Sequence, residues 1–254
     1  MRINLDKAKK EFLNYTENFD LKNEYIELKK NHSLRVMKIS QNIATRLGLA
    51  QNDIDLATLI GLLHDIARFE QYTQFKTFSD IDSFDHGDYA IKILESDLRK
   101  YVETDEYDNI IKVAIKNHNK YQIEEGLNDR ELLYAKIIRD ADKLDIFYEA
   151  VEMFWSGIES QINSSKISEN ILVQFENNKQ IKREKNRSNV QIIDEVINVI
   201  SFIFDINFKE SLKILEKGDY INRILDRFNF DDKETKINIE EIRNIANRYV
   251  KNNI

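Results

Sequence analysis

The sequence predicts an all-α protein, and three observations support that prediction. The 254 residues contain no proline and only six glycines, so the chain has few of the residues that tight β-turns require. Apolar residues recur with the 3.6-residue period of a helix through most of the chain, rather than alternating in twos. The composition, 42% apolar and 33% charged, is that of a protein with a real core and a charged surface.

In chain order, the apolar periodicity predicts about ten helices and a short further one near the end. Those of the N-terminal half are expected at 4–29, 32–47, 52–69, 86–101 and 106–118. The others are expected at 129–147, 148–163, 167–185, 189–206, 207–228 and 236–250. Residues 70–85 are the longest non-periodic stretch of the N-terminal half, and loops of that length inside compact domains are often functional.

Each of the four histidines lies on the apolar side of its own predicted helix; they are His32, His64, His86 and His118. Residues three, four and seven apart share one face of a helix. His32, for example, is in register with Val36 and Ile43. The imidazoles are therefore expected to point into the protein interior rather than towards water.

Two aspartates also fall within strongly apolar helices. Asp65 follows His64 at the end of a helix that is apolar nearly all round, and Asp142 lies among Ile138, Ala141 and Leu144. A buried carboxylate is costly unless it is paired or binds a cation. A divalent metal held by histidine and aspartate is the simplest solution that the sequence offers.

Composition limits the other possibilities. The absence of cysteine excludes disulfides and thiolate chemistry, which leaves nitrogen and oxygen as metal ligands. The N-terminal residues lack a signal-peptide apolar core, and the most apolar stretch, about 190–208, contains three acidic residues. A cytoplasmic protein without a membrane segment is therefore expected. The net charge of −7 argues against long nucleic acid as a partner.

The order of these residues resembles that of the HD-domain superfamily of metal-dependent phosphohydrolases over about residues 30–150. The resemblance rests on a histidine, then a His-Asp pair in "LLHDIAR", then an aspartate in "RDADKLD". It implies a helical bundle of HD type with additional C-terminal helices, in which a metal is bound by His32, His64, Asp65 and Asp142. Dinuclear branches add two histidines within the interval that here contains His86 and His118. Asp65 would then bridge two metals.

The resemblance also implies a reaction. A metal-activated water would hydrolyse a phosphoester or phosphoanhydride of a nucleotide or another small phosphorylated molecule. Asp65 would take part directly, and Arg68 and Lys143 would hold phosphate oxygens. The ligand types suit Fe, Mn, Co, Ni or Zn, and two ions are expected.

The preferred domain interpretation is a single α-helical domain, 1–254. Its metal-site core would occupy about residues 30–150, and a C-terminal helical extension would occupy about 157–254. The apolar stripe at Ile192, Val196 and Ile200 belongs either to the core or to a contact between copies of the chain. A homo-oligomer is therefore compatible with the sequence.

Several alternatives stay open from the sequence. His86 could instead stabilise Asp85 at a helix N-terminus or contact substrate, and His118 could bind substrate beside a single metal. The same six ligands serve oxygen chemistry in a few di-iron proteins of this fold. A nucleotide-sensing module with an intact but slow site is the non-enzymatic alternative.

Overall fold

The computed structural model describes residues 3–153, 155–182 and 191–254. All regular elements in these ranges are helices, which confirms the all-α class. The Cα positions divide the chain into two compact units, Met1–Asp142 and Lys143–Ile254, with the division inside one helix. The single-domain interpretation stays a prediction. Across the described residues, none of the helices combines the length and the apolarity needed to cross a membrane.

The first unit is built around one fully buried helix. Its helices, in order, are α1 (Leu5–Thr16), α2 (Glu24–Arg46), α3 (Gln51–Leu63), α4 (Arg68–Phe75), α5 (His86–Tyr101), α6 (Asp108–Asn117) and the first part of α7 (Asp129–Glu152). All residues of α3 from Asp55 to Leu63 are buried, as its apolar sequence predicts. Helices α1, α2 and α6 pack against α3, and α5 packs against α1 and α6.

The second unit contains shorter helices packed around a long final one. They are α8 (Glu159–Ser164), α9 (Glu169–Glu176), α10 (Ile192–Ser201), a 3-10 helix (Phe202–Asp205), α11 (Lys209–Lys217), α12 (Tyr220–Leu225) and α13 (Lys233–Asn253). Helix α13 packs against α9, α11 and α12, while α10 packs against α8 and α9. Of the apolar stripe, Val196 and Ile200 are buried, so they belong to the core.

Several predicted helix boundaries are wrong, and local backbone chemistry explains where the helices begin and end instead. The helix predicted at 4–29 is interrupted at 17–23, because the Asn23 side chain accepts hydrogen bonds from the backbone N–H groups of Tyr25 and Ile26 and starts α2 there. Helix α2 then continues unbroken through the predicted gap at 30–31. The helix predicted at 207–228 is divided at Asp219, whose φ of 49° is left-handed.

Other boundaries also differ from the prediction. The helix predicted at 52–69 ends at Leu63, and part of the stretch expected to be non-periodic forms α4. Helix α7 continues to Glu152 instead of ending at 147, and Gly157 with φ of 84° separates it from α8. Helix α13 is longer than the predicted 236–250. The helix predicted at 167–185 ends at Glu176, and the predicted helix ends at 185 and 189 lie outside the described residues.

Gly61 allows α2 and α3 to approach closely. A Cβ atom at this position would lie 2.5 Å from Ser40 Oγ and 3.0 Å from the backbone oxygen of Val36. The serine can rotate, but the helix backbone cannot move without shifting α2 as a whole. Close contact here brings the middle of α2 next to the end of α3.

We expect Gly61→Ala to lower the free energy of unfolding by about 1–3 kcal/mol, because the added methyl group overpacks this contact. Urea denaturation of the metal-free protein, followed by circular dichroism, measures the change. Asn52→Ala, on the exposed side of the same helix, is the matched control and should stay within about 0.5 kcal/mol of the parent. Equal unfolding midpoints for the two variants would contradict the packing argument.

Candidate metal centre

Five segments of the first unit bring six chemistry-bearing side chains to one point. His32 lies in the middle of α2, His64 and Asp65 follow α3, His86 begins α5, His118 follows α6, and Asp142 lies in α7. Five of these residues are buried, and the side chain of Asp142 is 17% exposed. The structure thus brings together all six residues that the sequence singled out. Their role as metal ligands stays a prediction.

One half of the centre, the first cluster, is formed by His32, His64, Asp142 and one oxygen of Asp65. The Nε2 atoms of His32 and His64 lie 3.2 Å apart and are 3.1 and 3.6 Å from Asp142 Oδ1. Asp65 Oδ2 lies 3.5 Å from His32 Nε2 and 3.7 Å from His64 Nε2. Ligand atoms about 2.1 Å from a metal are roughly 3.0–3.4 Å apart in octahedral or tetrahedral sites. These separations therefore fit a single bound cation.

The other half, the second cluster, is formed by His86, His118 and the second oxygen of Asp65. Asp65 Oδ1 lies 3.4 Å from His86 Nε2 and 3.6 Å from His118 Nε2. The two imidazole nitrogens are 2.9 Å apart. Each oxygen of Asp65 thus faces its own pair of imidazoles, which is the arrangement expected of a carboxylate between two ions.

Hydrogen bonds fix which ring nitrogen carries the proton in the second cluster. His118 Nδ1 lies 2.6 Å from the backbone oxygen of Ile115, and His86 Nδ1 lies 2.7 Å from Asp80 Oδ2. Because these oxygens only accept, each Nδ1 must donate, and each neutral ring then presents a lone pair at Nε2. Two lone pairs facing each other at 2.9 Å repel unless a cation lies between them. The donor set therefore fits a metal ion.

His64 follows the same rule in the first cluster. Its Nδ1 donates to the backbone oxygen of Gly61 at 2.9 Å, so Nε2 is again left as an acceptor. Burial lowers the pKa of His64 and lowers that of His86 to about 3. Both rings are therefore neutral near pH 7, the form that binds metals.

The two carboxylates are held in their charged form. Burial alone would raise the pKa of Asp65, but the positive charges of Lys29 and Arg68 hold it well below its usual range. For Asp142, the hydrogen bond from His32 outweighs burial and keeps the pKa low. The centre therefore combines the neutral imidazoles of His64 and His86 with the ionised carboxylates of Asp65 and Asp142.

Lys29 is a residue of the centre that the sequence analysis missed. Its Nζ lies 2.9 Å from Asp65 Oδ2, and its side chain is only 14% exposed. Lys29 precedes His32 by three residues and so shares its helix face. The signal was present in the sequence, but the predicted helix break between 29 and 32 concealed it.

The two basic residues proposed from the sequence have defined partners. Arg68 Nε lies 3.4 Å from Asp65 Oδ1, and Arg68 Nη1 contacts Asp80, Gln71 and the backbone oxygen of Phe78. Lys143 belongs to the second unit, where its Nζ lies 2.8 Å from Asp205 Oδ2. Phosphate binding by Arg68 and Lys143 stays a prediction.

The lowered histidine pKa values predict that the metal-free protein loses stability between pH 6.5 and pH 5. The unfolded chain takes up protons below pH 6.5, whereas His86 in the fold resists protonation until about pH 3. Stability present above pH 6.5 is therefore lost as the pH falls, by about 1.4 kcal/mol per unit for one such group. We expect a loss of about 2 kcal/mol by pH 5, measured by urea denaturation at each pH.

Asp65 and Asp142 do not contribute to the loss of stability between pH 6.5 and pH 5. Their ordinary pKa is 3.8 and their folded pKa is lower, so their stabilisation is lost only at more acidic pH. His86→Asn is the matched control and should show a shallower dependence. A pH dependence as steep in His86→Asn as in the parent would contradict the assignment to this residue.

Comparison with known proteins agrees with this geometry. Residues 30–146 match the family model described as HD domain. The matched span includes all six residues of the two clusters and agrees closely with the stretch that the sequence pattern singled out. Neither a curated protein nor a solved structure matches the chain.

Proposed function

Residues 30–146 match the HD-domain family model, and from this premise we propose that the protein is a metal-dependent phosphohydrolase. HD domains belong to a superfamily of metal-dependent hydrolases. The reaction that we propose is hydrolysis of a phosphoester or phosphoanhydride in a nucleotide or another small phosphorylated molecule. The observation that carries the proposal is the arrangement of two pairs of buried imidazoles, one at each oxygen of Asp65.

In this proposal six residues hold two ions: one is held by His32, His64 and Asp142, the other by His86 and His118, and Asp65 lies between them. A bound divalent ion lowers the pKa of water towards neutrality and neutralises phosphate charge. Nitrogen and oxygen donors suit Fe, Mn, Co, Ni or Zn. The backbone oxygens of Gly61 and Ile115 keep the rings of His64 and His118 in the metal-binding tautomer.

Lys29 and Arg68 are proposed to bind the phosphate group. Both contact Asp65, one at each carboxylate oxygen. When those oxygens bind metal, the Lys29 ammonium group loses its partner and can donate to a phosphate oxygen beside the ions. Arg68 is held through Nε by Asp65 and through Nη1 by Gln71, Asp80 and the backbone oxygen of Phe78, so Nη2 is the nitrogen proposed to reach substrate. For Lys143, phosphate would have to compete with Asp205.

Lys29→Met is expected to raise KM for a phosphorylated substrate by about tenfold or more, with a smaller change in kcat. A hydrogen bond to a charged group contributes about 1.5–3 kcal/mol, which corresponds to a factor of ten to a hundred. Steady-state kinetics at saturating metal measures the effect. Lys38→Met, on the exposed side of the same helix, is the control and should behave like the parent. A parent-like KM in Lys29→Met would remove this residue from the substrate site.

The function is tested by measuring phosphate release after metal loading. The protein is stripped with EDTA, reloaded with Mn²⁺ under anaerobic conditions and incubated with nucleotides, sugar phosphates and small phosphomonoesters. We expect phosphate or nucleotide products from at least one substrate class and none from the stripped protein. A protein that binds metal but releases no product from any of these substrates would overturn the proposal.

The alternatives give different results in the same experiment. A di-iron oxygenase would consume oxygen when loaded with Fe²⁺ and would show no turnover with Mn²⁺ in the absence of oxygen. A nucleotide-sensing module would bind nucleotide at micromolar concentration without turnover across the metal series. Anaerobic turnover with Mn²⁺ would exclude both as the main function.

A further inference from the structure

His86 differs from His64 and His118 in how its ring is held. His64 and His118 each donate to a backbone oxygen three residues earlier in their own helices. His86 is the first residue of α5, so no preceding helical turn supplies such an oxygen. Its Nδ1 instead donates to Asp80, with 2.8 Å to Oδ1 and 2.7 Å to Oδ2. The Asp80 side chain, which lies outside α5, therefore holds the His86 ring as backbone oxygens hold the rings of His64 and His118.

Asp80 lies in the segment that connects α4 to α5, residues 76–85, here called the rim segment. Three donors from outside this segment hold its carboxylate. Arg68 Nη1 lies 3.1 Å from Oδ1, Gln71 Nε2 lies 2.9 Å from Oδ1, and Asn119 Nδ2 lies 3.1 Å from Oδ2. The position of Asp80 is thus fixed by α4 on one side and by the residue after His118 on the other.

These contacts close a ring through the metal centre. Asp65 contacts Arg68, Arg68 contacts Asp80, and Asp80 contacts His86. His86 Nε2 returns to Asp65 at 3.4 Å. The ring passes through Asp65 Oδ1, the oxygen of the second cluster, and does not include His32, His64 or Asp142. A substitution of Asp80 should therefore change metal binding in the second cluster and leave metal binding in the first cluster unchanged.

We propose that Asp80 is a positioning residue that sets the metal affinity of the second cluster, so that occupancy of that half depends on the rim segment being in place. The Asp80 carboxylate fixes the tautomer and orientation of the His86 ring. Because it is charged, it also makes Nε2 of that ring a stronger metal ligand than a neutral backbone oxygen at Nδ1 would make it. This inference rests on the proposed metal centre but not on the identity of the reaction.

Metal titration of Asp80→Asn tests the proposal, because this substitution keeps the shape and removes the charge. We expect the second equivalent of Mn²⁺ to bind about 10- to 100-fold more weakly in equilibrium dialysis, with the first equivalent unchanged. The electron paramagnetic resonance signal of a coupled Mn²⁺ pair should be lost at metal concentrations that saturate the parent. Asp82→Asn, an exposed carboxylate of the same rim segment, is the matched control and should titrate like the parent.

A second measurement does not need metal. Nitrogen NMR of the imidazoles in the metal-free protein should report His86 protonated at Nδ1 in the parent and in Asp82→Asn, but a mixture of tautomers in Asp80→Asn. A parent-like second equivalent, or equal weakening of both equivalents, would overturn the role of Asp80. If the parent binds two ions but releases no phosphate, the proposed function fails, and the two titrations still decide the role of Asp80.

Discussion

Asp65→Asn is expected to abolish binding of both metals and to lower hydrolysis on the order of a thousandfold or more. Asp65 is the residue whose oxygens face both clusters, at 3.5 Å from His32 Nε2 and 3.4 Å from His86 Nε2. Asparagine has one oxygen instead of two and no charge, so neither cluster keeps the carboxylate that the two share. The loss of negative charge also leaves Lys29 and Arg68 to repel the incoming cations.

Elemental analysis of the parent and Asp65→Asn, both reloaded with the same metal, measures the first part of this prediction. Phosphate release at saturating metal measures the second. Asp55→Asn is the matched control, because Asp55 is also a buried carboxylate and accepts a hydrogen bond from Gln51 within α3. The control should retain its metal. Two equivalents in Asp65→Asn would refute the shared-ligand arrangement.

The part of the centre that the sequence predicts is the part encoded in helix periodicity. His32 lies on the apolar face of α2 and His64 directly follows α3, so their inward direction follows from the 3.6-residue period. Helix α5 was predicted with its observed bounds, because Asp85 caps it and its apolar face is regular up to Tyr101. In each case a local rule and the tertiary structure agree.

Unlike Lys29, Asp80 is a missed residue whose role depends on tertiary contacts. Asp80 is one of several acidic residues in a non-periodic segment, and nothing local distinguishes it from Asp82. Its role appears only when the fold places it 2.7 Å from His86 Nδ1. The partner of Lys143 is similar, because Asp205 is distant in sequence and its approach cannot be read from periodicity. Such pairings are set by packing, which composition and spacing do not encode.

Helix ends were the least predictable feature of the fold. The side chain of Asn23 caps α2, and Asp219 adopts a left-handed backbone, yet both residues also fit inside a helix by apolar periodicity. Whether an asparagine caps a helix or continues it is decided by the tertiary contacts of the flanking segments. The break before α2 matters for the site, because it places Lys29 on the same helix as His32.

His118→Ala is expected to remove one metal equivalent and to lower kcat about a hundredfold, with the first ion retained. The substitution removes one of the two imidazoles of the second cluster, while the first cluster, His32, His64 and Asp142, is unchanged. Elemental analysis after dialysis and phosphate-release kinetics measure the two effects. Lys116→Ala, an exposed position at the end of the same helix, is the control and should keep both equivalents.

The same variant decides between the two roles that the sequence leaves open for His118. If His118 is a metal ligand, its substitution changes the number of metal ions bound per protein. One equivalent should then disappear, and added metal should partly restore kcat. A substrate-binding histidine beside a single metal affects KM, so the metal content should be the same in parent and variant. The Nδ1–H of His118 donates to Ile115 and leaves Nε2 as a lone pair 2.9 Å from that of His86. Because this arrangement is repulsive without a cation, we expect the change in stoichiometry.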